Sequence, residues 1–157
     1  MKINFNFYTE YNQFYVHDKD YIGDTSNSDF WSDEACRQRL AIEKGVLGIG
    51  TQSYGYIKGE IEILPGPSSN IDSDKYDHIV EAGLEIRENE IQISACTGNC
   101  SEIRIKINNG KYRVRVYSSN LASVLETDLA HDTDNDYYRI EVWPDENMKR
   151  KVLKQYD

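Results

Sequence analysis

In the stretch DLAHDTDNDYYRIEVWP, Asp128 to Pro144, aspartates stand at alternate positions 132, 134 and 136. That is the spacing with which an EF-hand calcium loop begins, because its first, third and fifth positions supply oxygen ligands. The second half breaks the pattern. Tyr137 stands where the sharp turn needs glycine, and Trp143 stands where a bidentate glutamate would close the oxygen cage. The stretch therefore reads as an acidic turn feeding a strand, and with Asp128 it forms the densest acidic loop in the chain.

The other chemistry-bearing residues are scattered. Cys96 and Cys100, in CTGNC, could offer two thiolates to zinc, but a structural site needs four nitrogen or sulfur ligands. Only Cys36, His17, His78 and His131 remain to complete it, without paired spacing, so no metal or other cofactor is expected. Each histidine adjoins an aspartate in sequence, yet neighbouring residues on a strand face opposite ways and do not form an acid–base pair. Ser118, Ser119 and Ser123 lie in no nucleophile elbow. GVLGIGTQSYG lacks the spacing and the lysine of a phosphate-cradling loop and reads as a bulged or turning strand. No catalytic signature survives, and the protein is not expected to be an enzyme.

Charge narrows the partner. The 157 residues carry a formal charge of −9, with 8 basic against 17 acidic side chains in residues 1–100 and 10 of each thereafter. Such an excess repels phosphate backbones and disfavours direct nucleic-acid binding, while it suits a basic protein partner. The start MKINFNFYTE lacks the apolar core of a secretory signal, and no run is long enough to span a bilayer. A cytoplasmic protein with reduced thiols and no membrane insertion is expected.

The elements that must position these residues are strands. Twelve tyrosines and alternating apolar positions favour sheet. Ile3, Phe5 and Phe7 share one strand face, as do Phe14 and Val16. A loop is expected from Asp18 to Ser28, then a helix capped by Ser32 or Asp33, running through Glu34 to Ile42 and ending at Gly45. Further inward faces are Ile57, Ile61 and Ile63; Val80, Ala82, Leu84 and Ile86; Ile91, Ile93 and Ala95; and Tyr138, Ile140 and Val142. EIRIKINNGKYRVRVYSS predicts a β-hairpin turning at Asn108, Asn109 and Gly110. Its wet face would carry Arg104, Lys106, Arg113 and Arg115, paired across the sheet with Glu60, Glu62, Glu81, Glu85 and Glu141. The tail MKRKVLKQY fits a last helix or an extended segment. The expected fold is a single mainly β domain over residues 1–157, a largely antiparallel β-sandwich of about eight or nine strands with one or two short helices.

Tyr11-Asn12-Gln13-Phe14, Trp31-Ser32-Asp33-Glu34-Ala35, the turn and strand around Gly110 and Tyr112, and Tyr138-Arg139-Ile140-Glu141-Val142-Trp143 occur in an order that resembles the competence protein J family of bacteria. Members of that family inhibit a DNA-entry nuclease, so the resemblance implies a small intracellular protein that binds and silences a nuclease. The charge agrees, since an enzyme that holds phosphates in a basic cleft is met well by acidic side chains. On this reading Asp128, Asp132, Asp134 and Asp136 are the candidate partner contacts. The alternative is a small-molecule or metal-binding β-sandwich module whose loops, CTGNC and the aspartate loop among them, close over a ligand.

Overall fold

A computed structural model describes residues 1–19, 21, 25–97 and 100–157; part of the expected 18–28 loop and the middle of CTGNC lie outside them. Eleven strands form two sheets among the described residues. In the larger sheet β1 (Lys2–Thr9), β5 (Gly55–Ile63), β10 (Tyr137–Pro144), β9 (Gly110–Ser119), β6 (His78–Ile86) and β11 (Lys151–Lys154) lie in that spatial order. The smaller has the order β3 (Leu40–Glu43), β4 (Val46–Gly50), β2 (Gln13–Asp18), β7 (Glu90–Ala95) and β8 (Ile103–Lys106). Every pairing is antiparallel except β5 with β10.

The two sheets face each other across one apolar layer. Phe5, Phe7, Ile57, Ile61, Val114, Val116, Tyr138 and Ile140 come from the larger sheet, and Phe14, Val16, Leu40, Leu47, Ile91 and Ile105 from the smaller. Period-2 alternation places each of these side chains on the dry face of its strand.

Two strands go beyond the nine expected. The helix α1 spans only Asp33–Gln38: the Ser32 hydroxyl accepts from the Ala35 N–H at 3.1 Å, and Arg39 ends it in the left-handed conformation. Leu40, Ala41 and Ile42 then leave the helix and pair with Ile49, Gly48 and Leu47. A six-residue helix has little stability of its own, and a ready sheet edge outcompetes another helical turn. The tail supplies the other strand, β11, along the edge of β6.

The expected hairpin does not form. Ile103 to Lys106 pair with β7 in the smaller sheet, whereas β9 lies between β6 and β10 in the larger. Asn108 to Gly110 carry the chain across the sandwich, with the Asn109 side chain accepting from the Asn89 N–H at 2.7 Å. Both halves present their apolar face to the core as expected. They do so from opposite sides of it.

The supposed basic stripe is therefore divided. Arg104 and Lys106 are exposed on the edge strand β8. Arg113 is only 1% exposed. It and Arg115 both clasp Glu81, at 3.1 and 2.5 Å, and the Arg115 guanidinium lies 4.7 Å over the Trp143 ring. The expected pairing of glutamates with bases holds here, but this outer face is not wet. Ser68 reaches down to Glu141 at 2.6 Å, the Asn147 carbonyl accepts from Arg113 at 2.9 Å, and Met148 packs against Gly83.

Candidate functional site

One end of the sandwich gathers the β1–β2 turn, the chain entering β5, and the loop from Asn120 to Asp136. That loop contains Glu126, Asp128, Asp132, Asp134 and Asp136 and not one lysine or arginine. Long loops are mobile unless their backbone polar groups find partners. Here they do. The Asn12 amide donates to the carbonyls of Ser53 and Thr127, at 3.1 and 2.6 Å, tying three segments together. The Asn135 N–H donates to the Ser123 hydroxyl at 2.8 Å, and the Lys58 ammonium to the Asn135 side-chain oxygen. Ala130 lies against Gly55, whose φ of +99° and nearby Ala130 and Tyr8 carbons leave little room for a side chain.

The four candidate aspartates separate by position. Asp128 and Asp132 are exposed, and Asp134 is half-buried, accepting from the His131 N–H at 3.0 Å. Asp136 is not a surface group: at 3% exposure its Oδ2 accepts from the Ser53 N–H at 3.0 Å, the Ser53 hydroxyl at 2.8 Å and the Tyr138 hydroxyl at 2.5 Å. Burial first, and then this carboxylate, push the Tyr138 hydroxyl well above its ordinary pKa, so it stays a donor. A buried charge with three donors is held in place. Asp136 therefore pins the loop from within rather than offering itself to a partner.

Sequence reasoning missed the aromatic half of this end. Tyr8 and Tyr56 face each other across β1 and β5 with ring centroids 5.5 Å apart, and Tyr56 is 72% exposed. Tyr11, Leu125 and Leu129 are also exposed, Leu125 at 82%. Tyr54 and Tyr56 join Ala130, His131, Asp132 and Asp134 around a shallow hollow of about 230 Å³. The Tyr54 hydroxyl is pushed up, first by desolvation and then by the Glu10 carboxylate. A signal was available, because Tyr8 and Tyr56 occupy polar-face positions of their strands, where an aromatic ring gains nothing from the core. Exposed tyrosines in an acidic setting are suited to a protein surface, since they bury large area at small entropic cost and are enriched in binding hot spots.

Elsewhere little chemistry converges. Among the described residues no three His, Cys, Asp or Glu side chains group as metal ligands. Cys36, Cys96 and Cys100 are unpaired. His17 bonds the Asp18 carbonyl and the Ser94 hydroxyl, His78 bonds the Gln38 carbonyl and the Tyr156 N–H, and His131 lies 3.2 Å from Glu126 rather than on its neighbour Asp132. Among the described residues no helix is long and apolar enough to cross a membrane.

No protein-family model and no curated protein sequence matches the chain. Two solved structures share its fold. One is the crystal structure of ComJ, inhibitor of the DNA degrading activity of NucA, from Bacillus subtilis, at 20% identity and a TM-score of 0.68 over 90% of this chain and 95% of that one. The other is Crocagin biosynthetic gene J, at 14% identity and a TM-score of 0.59 over 92% of this chain and 97% of that one. At such identities the likeness is one of fold.

Proposed function

We propose that this chain is a binding protein that inhibits a nuclease, by docking its acidic, tyrosine-rich end on the basic surface with which that enzyme holds DNA. One observation carries the reading: a loop bearing acids and no lysine or arginine, fixed from within by Asp136, sits beside exposed Tyr8, Tyr11 and Tyr56. The fold shared with ComJ, an inhibitor of a DNA-degrading activity, supports it. Asp128, Asp132 and Asp134 supply complementary charge, and the tyrosines supply buried area. The protein acts by occupancy rather than turnover. Its unpaired thiols favour the cytoplasm as the place of action.

The test is capture of the partner from the source cells, followed by a DNA-degradation assay on the captured enzyme. The wild-type chain should suppress degradation. The triple variant Asp128→Asn, Asp132→Asn, Asp134→Asn should keep its circular dichroism and inhibit at least about tenfold less well at low salt. Equal inhibition by the triple variant would remove the acidic loop from the interface, and a captured protein without nuclease activity would remove the function.

A further inference from the structure

Of the eight large apolar side chains exposed among the described residues, five belong to the end of the sandwich that carries the acidic loop: Tyr8, Tyr11, Tyr56, Leu125 and Leu129. Single exposed apolar groups are ordinary on a protein surface, but their concentration at one end is not. Each tyrosine brings a hydroxyl that water can satisfy. The two leucines bring none, and Leu125, at 82%, is the most exposed of all eight.

The backbone around Leu125 is fastened on both sides. Leu121 and Val124, just before it, are buried, and the Leu121 N–H donates to the Asp77 carboxylate at 2.9 Å. The Ser123 hydroxyl accepts from the Asn135 N–H at 2.8 Å. Just after it, the Thr127 carbonyl accepts from the Asn12 amide at 2.6 Å, which ties the segment from Leu125 to Leu129 to the turn that carries Tyr11. Ala130 then lies against Gly55. A flexible loop loses conformational freedom when it docks, whereas one already fastened loses little. Holding a leucine in water contributes nothing to folding, so the arrangement has the form of an anchor kept ready for a pocket in a partner.

We propose that Leu125, together with Tyr11 and Leu129, anchors the docking surface, and that the partner receives it in an apolar pocket bordered by lysine or arginine, beside rather than within the surface that holds phosphates. The inference rests on the reading of this end as the inhibitory face. Charge chooses the occupant: Glu126 and Asp128 stand between the two leucines in sequence, and a basic rim answers them. A second copy of this chain would set the acidic loop against its own like charges. Carboxylates alone would hold this end to any basic protein. The leucine supplies discrimination, because a surface without the pocket leaves it in water and gains nothing from it.

Salt separates the two contributions, because it weakens contacts between charges and leaves apolar burial in place. The probe is the protein that the wild-type chain captures from the source cells, with Kd measured at about 0.05 and about 0.5 M sodium chloride. Leu125→Ser, at so exposed a site, should leave circular dichroism and melting unchanged and weaken binding roughly ten- to hundredfold at both salt concentrations. The triple variant Asp128→Asn, Asp132→Asn, Asp134→Asn should instead show its deficit at low salt and lose most of it at high salt. Cytochrome c, basic and unrelated, should bind the wild-type chain and Leu125→Ser equally. Binding by Leu125→Ser within about twofold of wild type at both concentrations overturns the inference, and the inhibitory reading then stands if the triple variant is weakened. A captured protein that needs Leu125 but degrades no DNA supports the anchor and overturns the inhibitory reading instead. Capture of no protein that Leu125→Ser loses overturns the inference, as does a wild-type dimer in sedimentation that Leu125→Ser dissociates, which would make a second copy the occupant.

Discussion

At Asp136 the Ser53 N–H, the Ser53 hydroxyl and the Tyr138 hydroxyl converge on one carboxylate oxygen. Asp136→Asn keeps the shape but can turn an amide NH₂ toward those donors, so we expect a loss of about 2–3 kcal/mol in urea unfolding, whereas Asp132→Asn on the exposed loop should change stability by less than about 0.5 kcal/mol. His78 makes a second prediction. It is fully buried; Nδ1 accepts from the Tyr156 N–H at 3.1 Å, so Nε2 carries the proton and donates to the Gln38 carbonyl at 2.8 Å. Burial holds its pKa below the ordinary 6.5, with the Arg39 charge assisting against the Gln38 carbonyl. His17 is lowered too, again by burial. Because the folded pKa lies below the unfolded one, the unfolded chain takes up the proton first. Stability is therefore whole above 6.5 and falls as pH drops from there toward the folded value. The urea midpoint should be lower at about pH 5.5 than at about pH 7.5, and His78→Gln should flatten that slope without abolishing the share due to His17.

At the scale of elements, the crossing of the sandwich between β8 and β9 teaches most. Alternation in IRIKINNGKYRVRV says which side chains face a core, and both a hairpin and a crossing between facing sheets satisfy it. The neighbour is chosen by pairing with β6, β7 and β10, segments distant in sequence. In this arrangement Arg104 and Lys106 place charge on the open edge of the smaller sheet, as Lys151 and Lys154 do on the edge of the larger, and such charge discourages pairing with another chain. The parallel pairing of β5 and β10 depends on Gly59, opposite Tyr138, where a Cβ would fall 2.0 Å from the Tyr138 carbonyl oxygen and 2.6 Å from the Phe5 ring. Gly59→Ala should cost about 3 kcal/mol by chemical denaturation, far more than alanine at the open Gly66.

For the molecule as a whole, the separation of charge from aromatic area gives the proposed interface a kinetic signature. Exposed carboxylates act over distance and govern encounter, while tyrosines act on contact and govern residence. Raising ionic strength from about 0.05 to about 0.3 M should slow association with the captured enzyme and leave dissociation nearly constant. Tyr56→Ala should instead speed dissociation by about tenfold or more with little change in association. Surface plasmon resonance separates the two. A variant that shifts only the association rate would place Tyr56 outside the contact.

By itself the sequence determined the class of fold and the inward faces of most strands, because a period of two and a dry core leave a β side chain only two directions. It determined too that the aspartates at 132, 134 and 136 do not complete an EF-hand, through Tyr137 and Trp143. Tertiary structure alone decided where α1 stops, which sheet receives β9, that Arg113 and Arg115 turn to Glu81 beneath a covering loop, and that Asp136 faces inward while Asp132 faces out. Those outcomes depend on pairing and cover between residues tens of positions apart. Local periodicity records the direction of a side chain but not the identity of what it meets.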